Sequence, residues 1–159
     1  MTTISAEPPL TGSSEEVRTW LITNPAEMEE VYAIRQEVFV DEQGLIGNVR
    51  NDPDDRYSYH VLGAVGDEVA GCGRVTFFGD EAQVVWVAVR KPLRRYGVGG
   101  AIMRHLIRLA DEQGCRIMSL NAQTHALNFY RELGFVPVGR VFMMSHIEHQ
   151  AMVREIGAS

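Results

Sequence analysis

A buried strand that leads through a basic, glycine-rich turn into a helix constrains the fold of this chain more than any other feature. The strand covers about 84–89, the turn carries glycine at 97, 99 and 100, and the helix continues to about 113. Glycine lets an anion approach the backbone N–H groups, and the open donors of a helix start add about half a unit of positive charge. This arrangement is typical of a pyrophosphate site. Four cationic side chains belong to the same turn: Arg90, Lys91, Arg94 and Arg95.

The spacing of the glycines excludes two common nucleotide-binding motifs. A dinucleotide-binding turn has three glycines as G-x-G-x-x-G and an acidic residue about 20 positions later. Gly97-x-Gly99-Gly100 lacks the third glycine of that pattern. A P-loop needs Gly-Lys followed by Ser or Thr, and the sequence contains no such tripeptide. We therefore expect an anion other than a nucleoside triphosphate at this turn.

The composition bounds the class of protein. With 159 residues and 45% hydrophobic content, the chain is long enough for one core and too short for two. No apolar run approaches the length of a membrane span, about 20 residues, and no signal sequence is recognised, so we expect a cytoplasmic protein without a membrane partner. The formal net charge of -6 argues against a nucleic-acid partner.

Two further signals concern the cysteines and the N-terminus. Cys72 and Cys115 lie inside apolar segments without metal-ligand spacing, which predicts reduced core thiols and no metal site. Residues 1–16 are rich in Ser, Thr, Pro and Glu and have no apolar periodicity. This composition predicts a flexible tail over 1–16, followed by a single domain over 17–159.

Helix and strand signals alternate along the rest of the chain. Asn24-Pro25-Ala26-Glu27 is a helix start with a cap residue, a proline and a glutamate in the first turn, and Gly114 marks a helix end. Strands are predicted over 20–22, 57–65, 69–78, 84–89, 115–120, 135–141 and 149–156, with a short helix over 124–133 and loops over 44–56 and 143–148. Since no repeat or linker interrupts them, the pattern predicts one α/β domain with a mixed sheet.

Two motifs carry a family resemblance. Arg94-x-x-Gly97-x-Gly99 follows the fourth predicted strand, and Gln123-x-x-Ala126-x-x-x-Tyr130-x-x-x-Gly134-Phe135 follows the fifth. Together they resemble the signatures of the GNAT superfamily of acetyl-CoA-dependent N-acyltransferases, with Gln123 in place of the usual Asn. The resemblance covers about 20–156. Within the superfamily the ElaA-type branch is similar at three places: Arg35-x-x-Val38-Phe39-Val40-x-Glu42-Gln43, Asn121-Ala122-Gln123 and His149-x-x-Met152.

The resemblance implies a fold and a place for the cofactor. It implies a single GNAT-like α/β domain, with a mixed central sheet of about seven strands in which strands four and five are splayed and helices flank the sheet. The pantetheine arm of acetyl-CoA is then expected in the gap, paired with strand four like an added strand. One backbone N–H of that strand is a candidate donor to the oxyanion. The implied cofactor-binding residues are Val87, Ala88, Val89, Arg94, Arg95, Tyr96, Gly97, Val98, Gly99, Gly100 and Asn128.

The resemblance also implies catalytic roles. Tyr130 matches the family position whose hydroxyl protonates the departing thiolate, although a helix tyrosine is also a common packing residue. The general base stays open, because this strand has Val84, Val85 and Trp86 where many relatives place a glutamate. His60 and His149 resemble histidines of the ElaA-type branch and titrate near neutrality, so each is a candidate base as well as a candidate structural histidine. Glu42 is a weaker candidate base, and His146 is a weaker candidate for lining the pocket.

The resemblance implies acetyl transfer from acetyl-CoA to a primary amine, for which we expect a small molecule and direct attack in a ternary complex. Arg35 and Glu42 are the candidate substrate ligands. The acidic stretch over 41–55 favours a cationic amine, whereas Arg35 and Arg74 favour a carboxylate, so the class of amine stays open. Two alternatives remain: an acetyltransferase acting on protein N-termini or lysines, and a CoA-binding regulatory module without turnover, which the missing strand-four glutamate favours. A homodimer is left open.

Overall fold

A computed structural model of the chain describes residues 16–157, so the tail predicted over 1–16 lies outside the described residues except for Glu16. The seven strands are β1 Val17–Leu21, β2 Ser58–Val65, β3 Glu68–Phe78, β4 Glu81–Val89, β5 Ile117–Gln123, β6 Val136–Met144 and β7 Ile147–Glu155. The α-helices are α1 Pro25–Arg35, α2 Val98–Glu112 and α3 Leu127–Glu132. A π-helical extension, Gln36–Glu42, continues α1, and short 3-10 turns cover Pro53–Tyr57, Lys91–Tyr96 and Thr124–Ala126.

One mixed sheet organises the chain, with the strand order β1-β2-β3-β4-β5-β7-β6. Every neighbouring pair is antiparallel except β4 and β5, which are parallel. The parallel pairing joins only Glu81–Gln83 to Ile117–Ser119, and the two strands part beyond it. The predicted seven-stranded mixed sheet with splayed fourth and fifth strands is therefore confirmed.

Two strand glycines allow α2 to pack directly on one face of the sheet. A Cβ atom at Gly63 would lie 2.8 Å from Cγ1 of Val98, and a Cβ atom at Gly73 would lie 2.8 Å from Cγ2 of Ile102. Real Cβ atoms are not found at such distances, so any larger residue would push the helix outward. These glycines set the distance between α2 and the sheet, and the sequence analysis did not identify them.

The opposite face of β2, β3 and β4 is covered by α1 and its extension. The predicted start of α1 is confirmed: the Asn24 side chain accepts a hydrogen bond from the Glu27 N–H at 2.9 Å, and Pro25 occupies the first turn. The Glu27 carboxylate in turn accepts from the Thr23 N–H at 2.9 Å and from Nε1 of Trp20 at 2.6 Å. This reciprocal cap anchors α1 to the end of β1.

Three local predictions need correction. The loop predicted over 143–148 is wrong, because β6 reaches Met144 and β7 begins at Ile147. Ser145 and His146 alone form the turn, with φ values of 52° and 63°, as the right-handed twist of a two-residue hairpin requires. The loop over 44–56 contains the turn Pro53–Tyr57, and β4 begins at Glu81 rather than at 84.

Two further observations concern the cysteines and the character of the helices. Cys72 and Cys115 are both buried and free of disulfides, and burial raises the pKa of the Cys72 thiol to about 11. This value keeps Cys72 protonated at neutral pH and makes it a core residue. Within residues 16–157, no helix has both the length and the apolar character needed to cross a membrane.

Candidate active site

The gap between β4 and β5 is the largest departure from a continuous sheet. On one side Ala88 and Val89 pair with Cys72 and Gly71 of β3, whereas the parallel ladder on the other side ends at Gln83 and Ser119. The backbone edge of Val87–Val89 on the β5 side is therefore not paired with a strand and faces the gap. An extended chain with amide groups fits such an edge by adding one more strand.

A β-bulge in β4 lies where the two strands part. Cys72 and Arg74 of β3 face Ala88 and Val85, so β4 uses one residue more than β3 over this step. Trp86 takes up the extra residue with a φ of 60°, which is an unfavourable conformation for a bulky side chain. A cost of about 1–3 kcal/mol is usual for such a residue, so its surroundings must hold it in place.

The side chain of Trp86 is held from three directions. Its Nε1 donates to Oδ2 of Asp52 at 2.9 Å, and the Phe39 ring packs edge-on with the centroids 5.1 Å apart. The Arg35 guanidinium lies 4.8 Å from the ring centroid. Sequence analysis missed both the bulge and the role of Asp52. The only available signal was a tryptophan at the place where relatives carry a glutamate.

The glycine turn has the geometry expected of an anion site. Gly97 adopts a left-handed conformation with a φ of 80°, and α2 begins at the next residue, Val98. No side chain of the described residues caps this helix start, so its first N–H groups have no side-chain acceptor. Since a residue with a Cβ atom is strained at such a φ, the glycine at position 97 is needed for the turn itself.

Arg94 and Glu42, predicted as a cofactor ligand and a substrate ligand, bind each other. Nη1 and Nη2 of Arg94 donate to the Glu42 carboxylate at 2.7 and 2.6 Å, and Nε donates to the Val89 carbonyl at 2.8 Å. The side chains are 14% and 33% exposed, so the pair is accessible to a ligand. The other polar cofactor candidates lie nearer the surface: Arg95 is exposed, and the exposed Asn128 accepts from Arg131 at 3.0 Å.

A second contact connects the segment that contains Glu42 and Gln43 to β5. Nε2 of Gln123 donates to Oε1 of Gln43 at 2.9 Å, and His125 contacts Oε1 of Gln123 through Nε2 at 2.8 Å. Glu42 and Gln43 therefore link the turn after β4, through Arg94, with the end of β5, through Gln123. The two residues span the mouth of the gap. Gln123, which departs from the usual Asn of the motif, supplies the longer amide for this contact.

Tyr130 belongs to the main core of the domain. It is fully buried and belongs to the same apolar cluster as Val87 and Val89 of β4 and Ala122 of β5. Its ring packs edge-on against Phe135 at a centroid distance of 5.9 Å. The short helix α3 thus buries the candidate general acid in the same core that α2 covers.

The two candidate bases lie in different places. His149 faces Gln123 across β5 and β7, is fully buried, and donates from Nδ1 to the Ile147 carbonyl at 2.7 Å. Burial is the main cause that lowers the pKa of His149, so the ring is neutral at pH 7 and Nε2 carries the lone pair. His149 therefore lies one strand from the gap.

His60 lies farther away, on β2. The register His60 to Arg74 to Val85 puts two strand spacings, about 10 Å, between its backbone and β4. Its ring contacts the Asp55 carbonyl through Nε2 at 2.9 Å. Burial is again the main cause that lowers its pKa. The structure therefore places His149 one strand from the gap on the β5 side and His60 two strands from β4, beyond Arg74.

The charged residues between α1 and the sheet neutralise one another. Arg35, which is fully buried, donates to both oxygens of Asp55 at 2.8 and 3.0 Å. Arg74 contacts Asp52 at 2.7 Å and Asp55 at 3.0 Å. Burial raises the pKa of Asp52, but the hydrogen bond from Trp86 and the charge of Arg74 outweigh it and keep this pKa below its ordinary value. Two buried cations and two partly buried carboxylates thus form one network without net charge.

Comparisons with known proteins agree with this geometry. The model of the acetyltransferase (GNAT) family matches residues 16–135. The uncharacterized protein YyaT of Bacillus subtilis is 32% identical over 138 residues, or 85% of this chain and 93% of that protein. The uncharacterized N-acetyltransferase YjcF of the same organism is 31% identical over 133 residues, or 83% and 95% of the two chains. The crystal structure of Escherichia coli ElaA matches at a TM-score of 0.77 and 27% identity, over 89% of this chain and 99% of that one.

Proposed function

This chain belongs to the GNAT family of acetyltransferases and is an acyltransferase, and on that premise we propose that it transfers the acetyl group of acetyl-CoA to a primary amine of a small molecule. The observation that carries the proposal is the gap between β4 and β5. The Gly97 turn follows the gap-facing end of β4, and Tyr130 belongs to the same core cluster as residues of β4 and β5. We retain the cytoplasm as the proposed location on the sequence pattern alone.

The residues around the gap fit an acyl-CoA. The edge of Val87–Val89 suits the amide groups of the pantetheine arm, and the first N–H groups of α2 suit the pyrophosphate. Arg94 and Arg95 add positive charge at the same end. Because Glu42 already occupies Arg94, a bound pyrophosphate competes with this carboxylate for the guanidinium.

The proposed reaction is direct attack of the amine on the thioester. The C–N bond forms, the C–S bond breaks, and the products are an amide and the free thiol of CoA. The Tyr130 hydroxyl gives its proton to the departing thiolate, and the backbone N–H groups beside the Trp86 bulge stabilise the oxyanion. Neutral His149 takes the proton that the amine loses and releases it to solvent, and solvent returns a proton to Tyr130. We favour His149 over His60 because it lies one strand from the gap.

A panel of primary amines, assayed for acetyl-CoA-dependent thiol release, tests the proposal. We expect thiol release that depends on both substrates and a product whose mass is increased by one acetyl group. Binding of acetyl-CoA without turnover of any amine or peptide would indicate the regulatory module instead. Turnover confined to peptides would indicate a protein acetyltransferase.

A further inference from the structure

The backbone of β4 is strained at one residue, Trp86. Among residues 16–157 it is the only residue other than glycine that has a positive φ inside a strand. A bulky side chain disfavours this conformation, so contacts outside the local backbone must select it. Because this bulge lies where β4 and β5 part, the conformation of Trp86 decides how the peptide groups beside the gap are oriented.

The backbone of Trp86 is held on the β3 side by Cys72. The Cys72 thiol donates to the Trp86 carbonyl, with 3.5 Å between Sγ and the oxygen. Burial raises the pKa of this thiol to about 11, so the donated proton stays on sulfur at neutral pH. In a trans peptide the C=O and the next N–H point in opposite directions. Since β3 lies on one side of β4 and the gap on the other, the Val87 N–H points away from Cys72 and toward the gap.

The indole of Trp86 is held by Asp52. Oδ2 of Asp52 accepts from the indole Nε1 at 2.9 Å and contacts Nη1 of Arg74 at 2.7 Å. Oδ1 accepts from the Asp54 N–H at 2.9 Å, which caps the turn Pro53–Tyr57. Both carboxylate oxygens are therefore engaged, and Asp52 cannot turn away from the indole without losing its other contacts.

Arg74 connects Asp52 to the strand beside the bulge. By register Arg74 pairs with Val85, the residue before Trp86, and its buried side chain also contacts Asp55 at 3.0 Å. The contacts that run from the indole through Asp52 to Arg74 thus return to the strand pair that contains the bulge. This closed path explains how one surface turn can fix the conformation of a residue inside the sheet.

We propose that Asp52 is a positioning residue for acyl transfer. It holds Trp86 in the left-handed conformation, and Trp86 in turn directs the Val87 N–H toward the carbonyl oxygen of the thioester. Asp52 acts through Trp86, which lies 34 positions later in the chain. This inference rests on the proposed acetyl transfer, and it names the residue that orients the oxyanion donor.

Two single variants and their combination test this role. Asp52→Ala removes the acceptor of the indole hydrogen bond, whereas Trp86→Phe removes the donor and keeps a ring beside Phe39. For the best amine of the panel, we expect each variant to lower kcat by roughly 10–100-fold and to change the KM of acetyl-CoA by less than about threefold. The reason is that a displaced oxyanion donor weakens the transition state more than the bound cofactor.

The double variant and a neighbouring carboxylate provide the controls. If Asp52 acts through Trp86, the double variant should lose no more kcat than the more severe single variant, because coupled residues are not additive. Asp54→Ala, which removes a carboxylate from the same turn, should match the wild type. Asp52→Asn keeps a side-chain oxygen for the indole, so it should lose less kcat than Asp52→Ala, and it replaces that variant if Asp52→Ala does not fold.

Fluorescence gives a readout that does not depend on turnover. The chain contains two tryptophans, so Trp20→Phe leaves Trp86 as the only one. In that background Asp52→Ala should change the emission maximum, whereas Asp54→Ala should not. An unchanged kcat in Asp52→Ala, or additive losses in the double variant, would overturn this inference and leave acetyl transfer standing. No turnover of any amine by the wild type, together with no binding of acetyl-CoA, would overturn both.

Discussion

The Tyr130 hydroxyl is the single group whose removal should separate chemistry from binding. Tyr130→Phe keeps the ring that packs against Phe135 and removes only the proton donor. We expect kcat to fall by roughly 10²–10⁴-fold while the Kd of acetyl-CoA stays within about twofold, as for loss of a general acid. Steady-state kinetics and calorimetric binding measure the two quantities. The control is Tyr57→Phe at a 70% exposed site, and full activity of Tyr130→Phe would exclude the tyrosine from the mechanism.

His149 should determine the acidic limb of the pH profile. Its pKa is lowered by burial, so the neutral, proton-accepting form persists below the ordinary pKa of histidine, about 6.5, and activity falls only as the pH drops through the lowered value. His149→Gln should abolish that limb and lower kcat, whereas His60→Gln should retain it. The measurement is kcat/KM of the amine against pH. If His60→Gln removed the limb instead, the assignment of the base would be reversed.

His60 and His149 should both make the folded protein less stable at acidic pH. Their folded-state pKa values lie below the unfolded value, so protonation favours the unfolded chain. The contribution of the two histidines to the free energy of unfolding is complete above their pKa in the unfolded chain. It is lost as the pH falls through their pKa in the folded protein.

At the scale of elements, the contact between α2 and β3 depends on a missing side chain. In Gly73→Ala the new Cβ atom would lie 2.8 Å from Cγ2 of Ile102 and 3.1 Å from Cδ1 of Leu106. We expect a loss of about 1–3 kcal/mol in the free energy of unfolding, because α2 has to move away from the sheet. Urea denaturation measures it. Gly100→Ala is the control, since its Cβ atom would meet only the flexible Arg104 side chain, and an equal loss there would contradict this explanation.

At the scale of the whole molecule, acetyl-CoA should stabilise the fold, because the gap and the Gly97 turn exist only in the folded state. At a ligand concentration of 100 Kd the gain is about 2.7 kcal/mol, which for a chain of this size raises Tm by roughly 5–10 °C. Gly99→Glu should abolish the shift by bringing a carboxylate to the proposed pyrophosphate position, and Gly99→Ala should retain part of it. Thermal unfolding with and without acetyl-CoA measures the effect, and an unchanged Tm of the wild type would count against the whole proposal.

The sequence by itself determined the features that depend on near neighbours. The cap of α1 involves residues within four positions of each other, and the strand, glycine turn and helix around Gly97 follow one another directly, so each signal is readable where it occurs. The family motifs then predicted a mixed sheet of about seven strands and the parting of β4 and β5.

Only the tertiary structure decided which distant residues meet. Arg94 and Glu42 are 52 positions apart and Gln43 and Gln123 are 80 apart, and neither contact has a local signal. The same holds for Asp52, which meets Trp86 and Arg74 across three separate elements. Charge in a sequence is a sum over residues, whereas charge at a site depends on which groups are paired, and pairing is set by how helices pack on the sheet. For that reason Arg35, Arg74 and Glu42, whose charges gave opposing indications in the sequence, are all paired with other side chains in the folded protein.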